Sequence, residues 1–175
     1  MDFNKHALVM ATVEELKAHG SWTGKTHVQK SIFLLQAAAT MDVPFQFVLY
    51  KHGPYSFELE AEMEQMMSYD AISASSVPGY GVMLNASNNQ SVIKRAVTIS
   101  AHDLSAIKDV CTFVGTRQVS ELERLATAAW IRTHDGIKTR EAVAVRLHSL
   151  KPHISLEDAM LADDTLTASK LVSRS

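Results

Sequence analysis

At 175 residues the chain has the length of one ordinary domain, enough to bury a hydrophobic core. A hydrophobic content of 46% with 21% charged residues excludes a disordered polymer. A net charge of −2 gives no overall pull toward nucleic acid or an anionic membrane.

A single cysteine, Cys111, excludes an internal disulfide and a cysteine-based zinc site. It stands in an apolar helical pattern and reads as a buried structural thiol, not a nucleophile. No run approaches the roughly 20 apolar residues of a membrane helix. The N-terminus does not read as a signal peptide, because Asp2 leads, the apolar run 7–13 is short, and Glu14 and Glu15 follow it. A cytoplasmic location is expected, which leaves the sequon Asn85-Ala86-Ser87 without meaning.

The elements follow in chain order. A first helix is expected over 4–18, capped by Asn4, with Leu8, Ala11 and Leu16 on one stripe and Gly20 ending it. A second starts near Thr26, where Thr26 and Gln29 have the spacing of a capping box, and buries Val28, Ile32, Leu35 and Ala39. Residues 45–50 read as a strand between Pro44 and Gly53. Ser56 opens a third helix to about Tyr69, with Leu59, Met63, Met66 and Met67 inward and Glu58, Glu60, Glu62 and Glu64 on its flanks. Short strands are expected at 71–76, 81–84 and 94–100, joined by a Pro78-Gly79 turn and a polar loop at 85–91.

Helices then return. One is capped by Ser100 and carries Leu104, Ile107, Cys111 and Val114. A second capping box, Ser120 with Glu123, precedes Leu125, Ala126 and Ala129. Thr139 opens a helix that Pro152 stops, and Ser155 starts the last one. The fold class is α+β, mostly α, with a winged-helix-like part over 1–100 and a helical subdomain over 101–162 packed on it in one domain. Residues 163–175 lose apolar periodicity and are expected to form a flexible tail.

No catalytic constellation stands out. The turn Gly20-Ser21-Trp22-Thr23-Gly24-Lys25-Thr26 ends like a phosphate-binding loop, but it has three residues between its glycines where four are needed, and it follows a helix where a strand is required. The eight histidines include no pair at metal-binding helical spacing; His102 and Asp103 are adjacent, and Pro152 separates His148 from His153. There is no nucleophile elbow, and the glutamates of the third helix read as a solvated flank. No metal or cofactor is expected.

Two stretches resemble a known family. Lys25-Thr26-His27-Val28-Gln29-Lys30-Ser31-Ile32-Phe33-Leu34-Leu35 is similar to the Leu-Gln-Lys helix of prokaryotic YwgA-type proteins and of the related SocA-like, or Panacea, antitoxin domains. Tyr50-Lys51-His52-Gly53-Pro54-Tyr55-Ser56-Phe57-Glu58-Leu59 looks like the Gly-Pro-Tyr-Ser signature that follows it. Ser120–Thr127 and Leu150-Lys151-Pro152-His153 match two further positions, so the resemblance spans about residues 22 to 160. The chain departs from the pattern in its long polar loop at 85–91. The resemblance implies a winged helix and a non-enzymatic regulator, antitoxin-like or an adaptor of the toxin–antitoxin or phage-defence type.

The signature also has a local physical reading. Gly53 supplies a backbone angle that other residues resist, Pro54 stiffens the turn, and Ser56 caps the helix. The third helix carries four glutamates and no Lys or Arg, so phosphate repels it. The preferred reading is therefore a partner-protein surface of Tyr50, His52, Tyr55, Glu58 and Glu62. The alternative is a DNA-binding regulator gripping phosphate through Lys25, His27, Lys30, Lys94 and Arg95. Homodimerisation through the apolar C-terminal half and simple core burial explain the same residues equally well.

Overall fold

A computed structural model of the chain describes residues 2–79 and 81–172. Their elements are α1 (Phe3–Ala18), α2 (Lys25–Ala37), β1 (Val48–Tyr50), β2 (Gly53–Tyr55), α3 (Phe57–Ser68), β3 (Ile72–Val77), β4 (Gly81–Ala86), α4 (Gln90–Ala96), α5 (Ala101–Val114), α6 (Val119–Thr133), α7 (Arg140–Leu150) and α8 (Leu156–Ala168). The architecture is α+β and mostly α, with two separate antiparallel hairpins, β1–β2 and β3–β4. No helix among the described residues is long and apolar enough to cross a membrane.

α2 is the hub. Residues 27–35 are buried without a break, so this helix is covered on all sides, as helices at the centre of a fold are. It packs on α1, α5, α6 and β2, and Phe33 meets Phe47 edge-on and Trp130 at a tilt. The buried apolar residues form one cluster from Ala7 to Val172. Cys111 lies fully inside it, where burial first and Glu15 second push its thiol far above the usual range.

Local chemistry explains most helix starts. Asp2, and not Asn4, caps α1, accepting from Asn4 N at 3.0 Å and Lys5 N at 3.3 Å. Ser56, Ser100 and Ser155 accept from the third amide beyond them, as the capping pattern requires. The two expected capping boxes do not form. α2 begins at Lys25 after Gly24 without a side-chain cap, and α6 begins at Val119, leaving Gln29 and Glu123 to other partners.

Several expectations are corrected. Only Val48–Tyr50 of the expected strand over 45–50 is paired; Phe45 and Phe47 are core residues on unpaired backbone. The expected strand 94–100 is instead the end of α4, with Lys94 and Arg95 in its last turn, followed by the extended segment 97–100. The polar loop at 85–91 is a lock: Ser87 Oγ and Asn88 Nδ2 donate to the Asp70 carboxylate at 2.5 and 2.7 Å, holding it below the usual carboxylate range. The tail is also more ordered than expected. α8 continues to Ala168, with Leu166 buried and Asp163 bonded inside the core to Arg132. Residues 173–175 lie outside the described part.

Candidate partner-binding face

The four stretches that carry the family resemblance meet at one place, the β1–β2 hairpin. Its strands pair Val48 with Tyr55 and Tyr50 with Gly53 around a Lys51-His52 turn. Gly53 has φ +85°, and a Cβ there would stand 2.9 Å from Thr127 Oγ1. The hairpin backbone therefore lies directly on α6, a contact that only glycine permits.

Polar groups hold the hairpin from behind. Gln29 brackets Ser56, its amide donating to Ser56 O and accepting from Ser56 N, both at 2.9 Å. Lys30 Nζ donates to Pro54 O at 2.7 Å. Lys151, just after α7, donates to Tyr50 O at 3.0 Å and also to Lys51 O. The buried Glu123 carboxylate lies 3.3 Å from Lys151 Nζ, 3.5 Å from His52 and 3.7 Å from His153. Gln29, Lys30, Glu123 and Lys151 thus have structural partners in the hairpin.

Lys30 is only 2% exposed. Burial lowers its amine from 10.5 to about 8, with Glu123 opposing and Lys151 adding to the shift. Between those values the unfolded chain binds more protons than the folded one, so this residue makes stability rise with pH from about 8 to 10.5. Below that window the amine is charged in both states and its burial is a constant cost. The stability of the wild type relative to Lys30→Met is expected to increase by on the order of 3 kcal/mol across the window. Urea unfolding of both proteins at several pH values checks this; a pH-independent difference contradicts it.

In front of this support, three aromatic rings pack on one another and face solvent. Centroid separations are 5.8 Å for Tyr50–Tyr55, 5.5 Å for Tyr50–Phe57 and 5.0 Å for Tyr55–Phe57. Tyr50 is 47% exposed and Phe57 60%, with exposed Val48 at the start of the same hairpin. A cavity of about 200 Å³ opens beside them, lined by Lys25, Thr26, Gln29, Lys30, Tyr50 and Tyr55 among others. Burial first, and Glu60 second, raise the Tyr55 phenol above its usual range, so it stays protonated. Phe57 was not singled out from the sequence. No local signal marks it, since Leu59 on the same first turn is fully buried.

The expected charged residues take other positions. Glu58 pairs with Lys5, Glu62 with His6 at 2.6 Å, and Glu60 and Glu64 with Lys25, Glu64 at 3.6 Å, so all four α3 glutamates tie that helix to α1 and α2. His6 is fully buried and is bonded on its other nitrogen by Tyr69 at 2.7 Å, which makes Glu62 an internal partner. Glu58 and Glu64 remain exposed at the rim of the aromatic face. His52 stays exposed on the hairpin turn.

The five residues of the DNA alternative do not build an open cationic surface. His27 is buried against Arg117 O, its imidazole lowered by burial, and Lys30 is enclosed as described. Lys25 is paired with Glu60, and Lys94 with Glu14 at 2.6 Å; Arg95 is exposed and bonds Ser91 O at 3.1 Å. The β3–β4 hairpin carries no charged residue at all from Ile72 to Ala86. The glycine-rich turn is used internally too, since Thr23 exchanges bonds with Leu84 of β4. Among the described residues no cluster of His, Cys, Asp and Glu is arranged to hold a metal ion. No protein-family model matches the chain, and no curated protein matches it.

Proposed function

We propose that the chain is a non-catalytic regulatory binding protein, antitoxin-like or an adaptor, that grips a partner protein with the Tyr50–Tyr55–Phe57 face. The observation that carries this reading is an aromatic cluster held open to solvent on a hairpin that is rigidly braced from behind. Exposed aromatics cost solvation and give the fold little, whereas at interfaces they are the usual anchors. A braced hairpin loses little entropy on binding, which favours affinity. The YwgA-type and Panacea resemblance of the sequence supports this reading, as does the mostly helical α+β architecture.

The rim defines the partner's chemistry. α3 presents exposed Glu58 and Glu64, paired with Lys5 and Lys25, and the hairpin turn presents Lys51 and His52, so the rim carries charges of both signs. A complementary surface has an apolar pocket flanked by polar side chains. Duplex DNA lacks that pattern, and the uncharged β3–β4 hairpin gives phosphate nothing to hold.

The test is capture of the tagged chain from its host with and without nuclease, in parallel with a Tyr50→Ala/Phe57→Ala variant. A stoichiometric protein that survives nuclease and is missing from the variant is the expected result. Nucleic acid released by salt, bound equally by both chains, contradicts the reading.

A further inference from the structure

The β3 edge of the β3–β4 hairpin is open, and the phase of the ladder shows which groups face outward. Ser87 N donates to Ala71 O at 2.9 Å, so the bonded pairs in phase with it are Ser73–Asn85, Ser75–Met83 and Val77–Gly81. The intervening residues turn their N–H and C=O groups away from the partner strand. On β4 one of these is Leu84, whose N–H donates to Thr23 O at 3.0 Å while Thr23 Oγ1 donates to Leu84 O at 2.9 Å. The Thr23 turn therefore covers β4 at Leu84. On β3 the outward residues are Ile72, Ala74 and Ser76. Ala74 and Ser76 are exposed, and neither has a backbone partner among the described residues.

Open edges are normally guarded by charge, by proline or by a bulge, because they template pairing with another chain. β3 has none of these. Its sequence is Ile-Ser-Ala-Ser-Ser-Val, and its register against β4 runs unbroken from Ile72–Ala86 to Val77–Gly81. The nearest charge, Asp70, is engaged by Ser87 and Asn88. An isolated two-stranded ribbon is also marginal, and further strands stabilise it.

We propose that β3 pairs with β3 of a second copy of this chain, antiparallel about a two-fold axis at Ser75, joining the hairpins into one four-stranded sheet. In that register Ala74 of each copy exchanges two backbone bonds with Ser76 of the other, so the pairing uses the groups left open. Ser75 faces itself as the close, non-bonded pair, and Ser73 faces Val77. A second copy is the occupant because the two-fold at Ser75 matches the two open residues of one strand, Ala74 and Ser76, with the same two of the other, and no charge on the strand is brought against a like charge. The strand carries no charge, and its small side chains let two backbones approach. Pairing here is independent of the aromatic face, so either proposal can fail alone.

The experiment is sedimentation equilibrium of the full chain from low micromolar to submillimolar concentration, with Ser75→Lys and Ser75→Glu variants, each checked for a native thermal melt. The wild type is expected to dimerise, each variant to lose the dimer, and an equimolar mixture of the two variants to recover it. Recovery on mixing distinguishes pairing at Ser75 from damage to the hairpin. Ala74→Pro, which removes an outward N–H and leaves the β3–β4 ladder intact, is expected to be monomeric as well. A monomeric wild type, a dimer that persists in both charged variants, or no recovery on mixing overturns the proposal.

Discussion

Asp163→Ala is expected to lower the unfolding free energy by about 3–5 kcal/mol, the usual effect of removing one partner from a buried ion pair. Asp163 on α8 takes Arg132 of α6 in a two-pronged pair, with Nε and Nη2 at 2.5 and 2.7 Å. Both residues are almost wholly enclosed, Arg132 4% and Asp163 1% exposed. Arg132 Nη1 already lacks a hydrogen-bond partner, so losing the carboxylate leaves the whole guanidinium buried and unpaired. Replacing both partners together, Arg132→Met with Asp163→Leu, is expected to cost far less, because no charge is then stranded. Urea unfolding of the single and double variants measures the difference. A single variant within about 1 kcal/mol of wild type contradicts the pairing, since that is what an exposed pair contributes.

Gly53→Ala is the second large effect, on the order of 2–4 kcal/mol. One part is conformational, because φ of +85° costs an alanine about 1–2 kcal/mol. The other is steric, because the new methyl carbon would meet Thr127 Oγ1 at 2.9 Å. Thr127 Oγ1 is buried without a hydrogen-bond partner, so Thr127→Ala removes the obstacle without breaking a bond. In a double-mutant cycle, Thr127→Ala is expected to restore the steric part and leave the conformational part. Strict additivity would mean that the hairpin does not rest on α6.

The sequence revealed local structure much better than partnerships between distant segments. Serine caps at Ser56, Ser100 and Ser155 and the turn at Gly53 were readable because their causes lie within four residues; the helical stripes were readable in part, since Ala39 lies beyond α2 and Leu104 is exposed. Ser120 with Glu123 failed as a capping box because Glu123 turns inward to Lys151, which lies beyond the end of α7. Gln29 failed likewise because Ser56, well along the chain, takes its amide. Asp163 looked like the start of a polar tail, since nothing near it in sequence announces Arg132. A strand was expected over 94–100, but 94–96 ends α4, of which only Ile93 reaches the core, and 97–100 runs unpaired into α5.

The candidate site followed the same rule. Tyr50 and Tyr55 were visible through the Gly-Pro-Tyr-Ser turn, and they do pack together. Glu58 and Glu62 were assigned outward by helical spacing alone. Periodicity cannot show that Lys5 and His6 of α1 wait opposite them. Lys30 looked like a surface cation, although the apolar residues that immediately follow it enclose the helix on all sides. What remained at the surface was Phe57, whose exposure depends on how α3 sits on its neighbours.

The central claim is that the aromatic face is the gripping surface. Its most direct test is the affinity of the captured partner for wild type and for Tyr50→Ala/Phe57→Ala, measured by titration calorimetry beside the thermal melt of each chain. Loss of two anchor rings is expected to weaken binding by about 100-fold, near 3 kcal/mol, with the melting temperature little changed. Equal affinity in the two chains would contradict the account and place the binding surface elsewhere on the molecule.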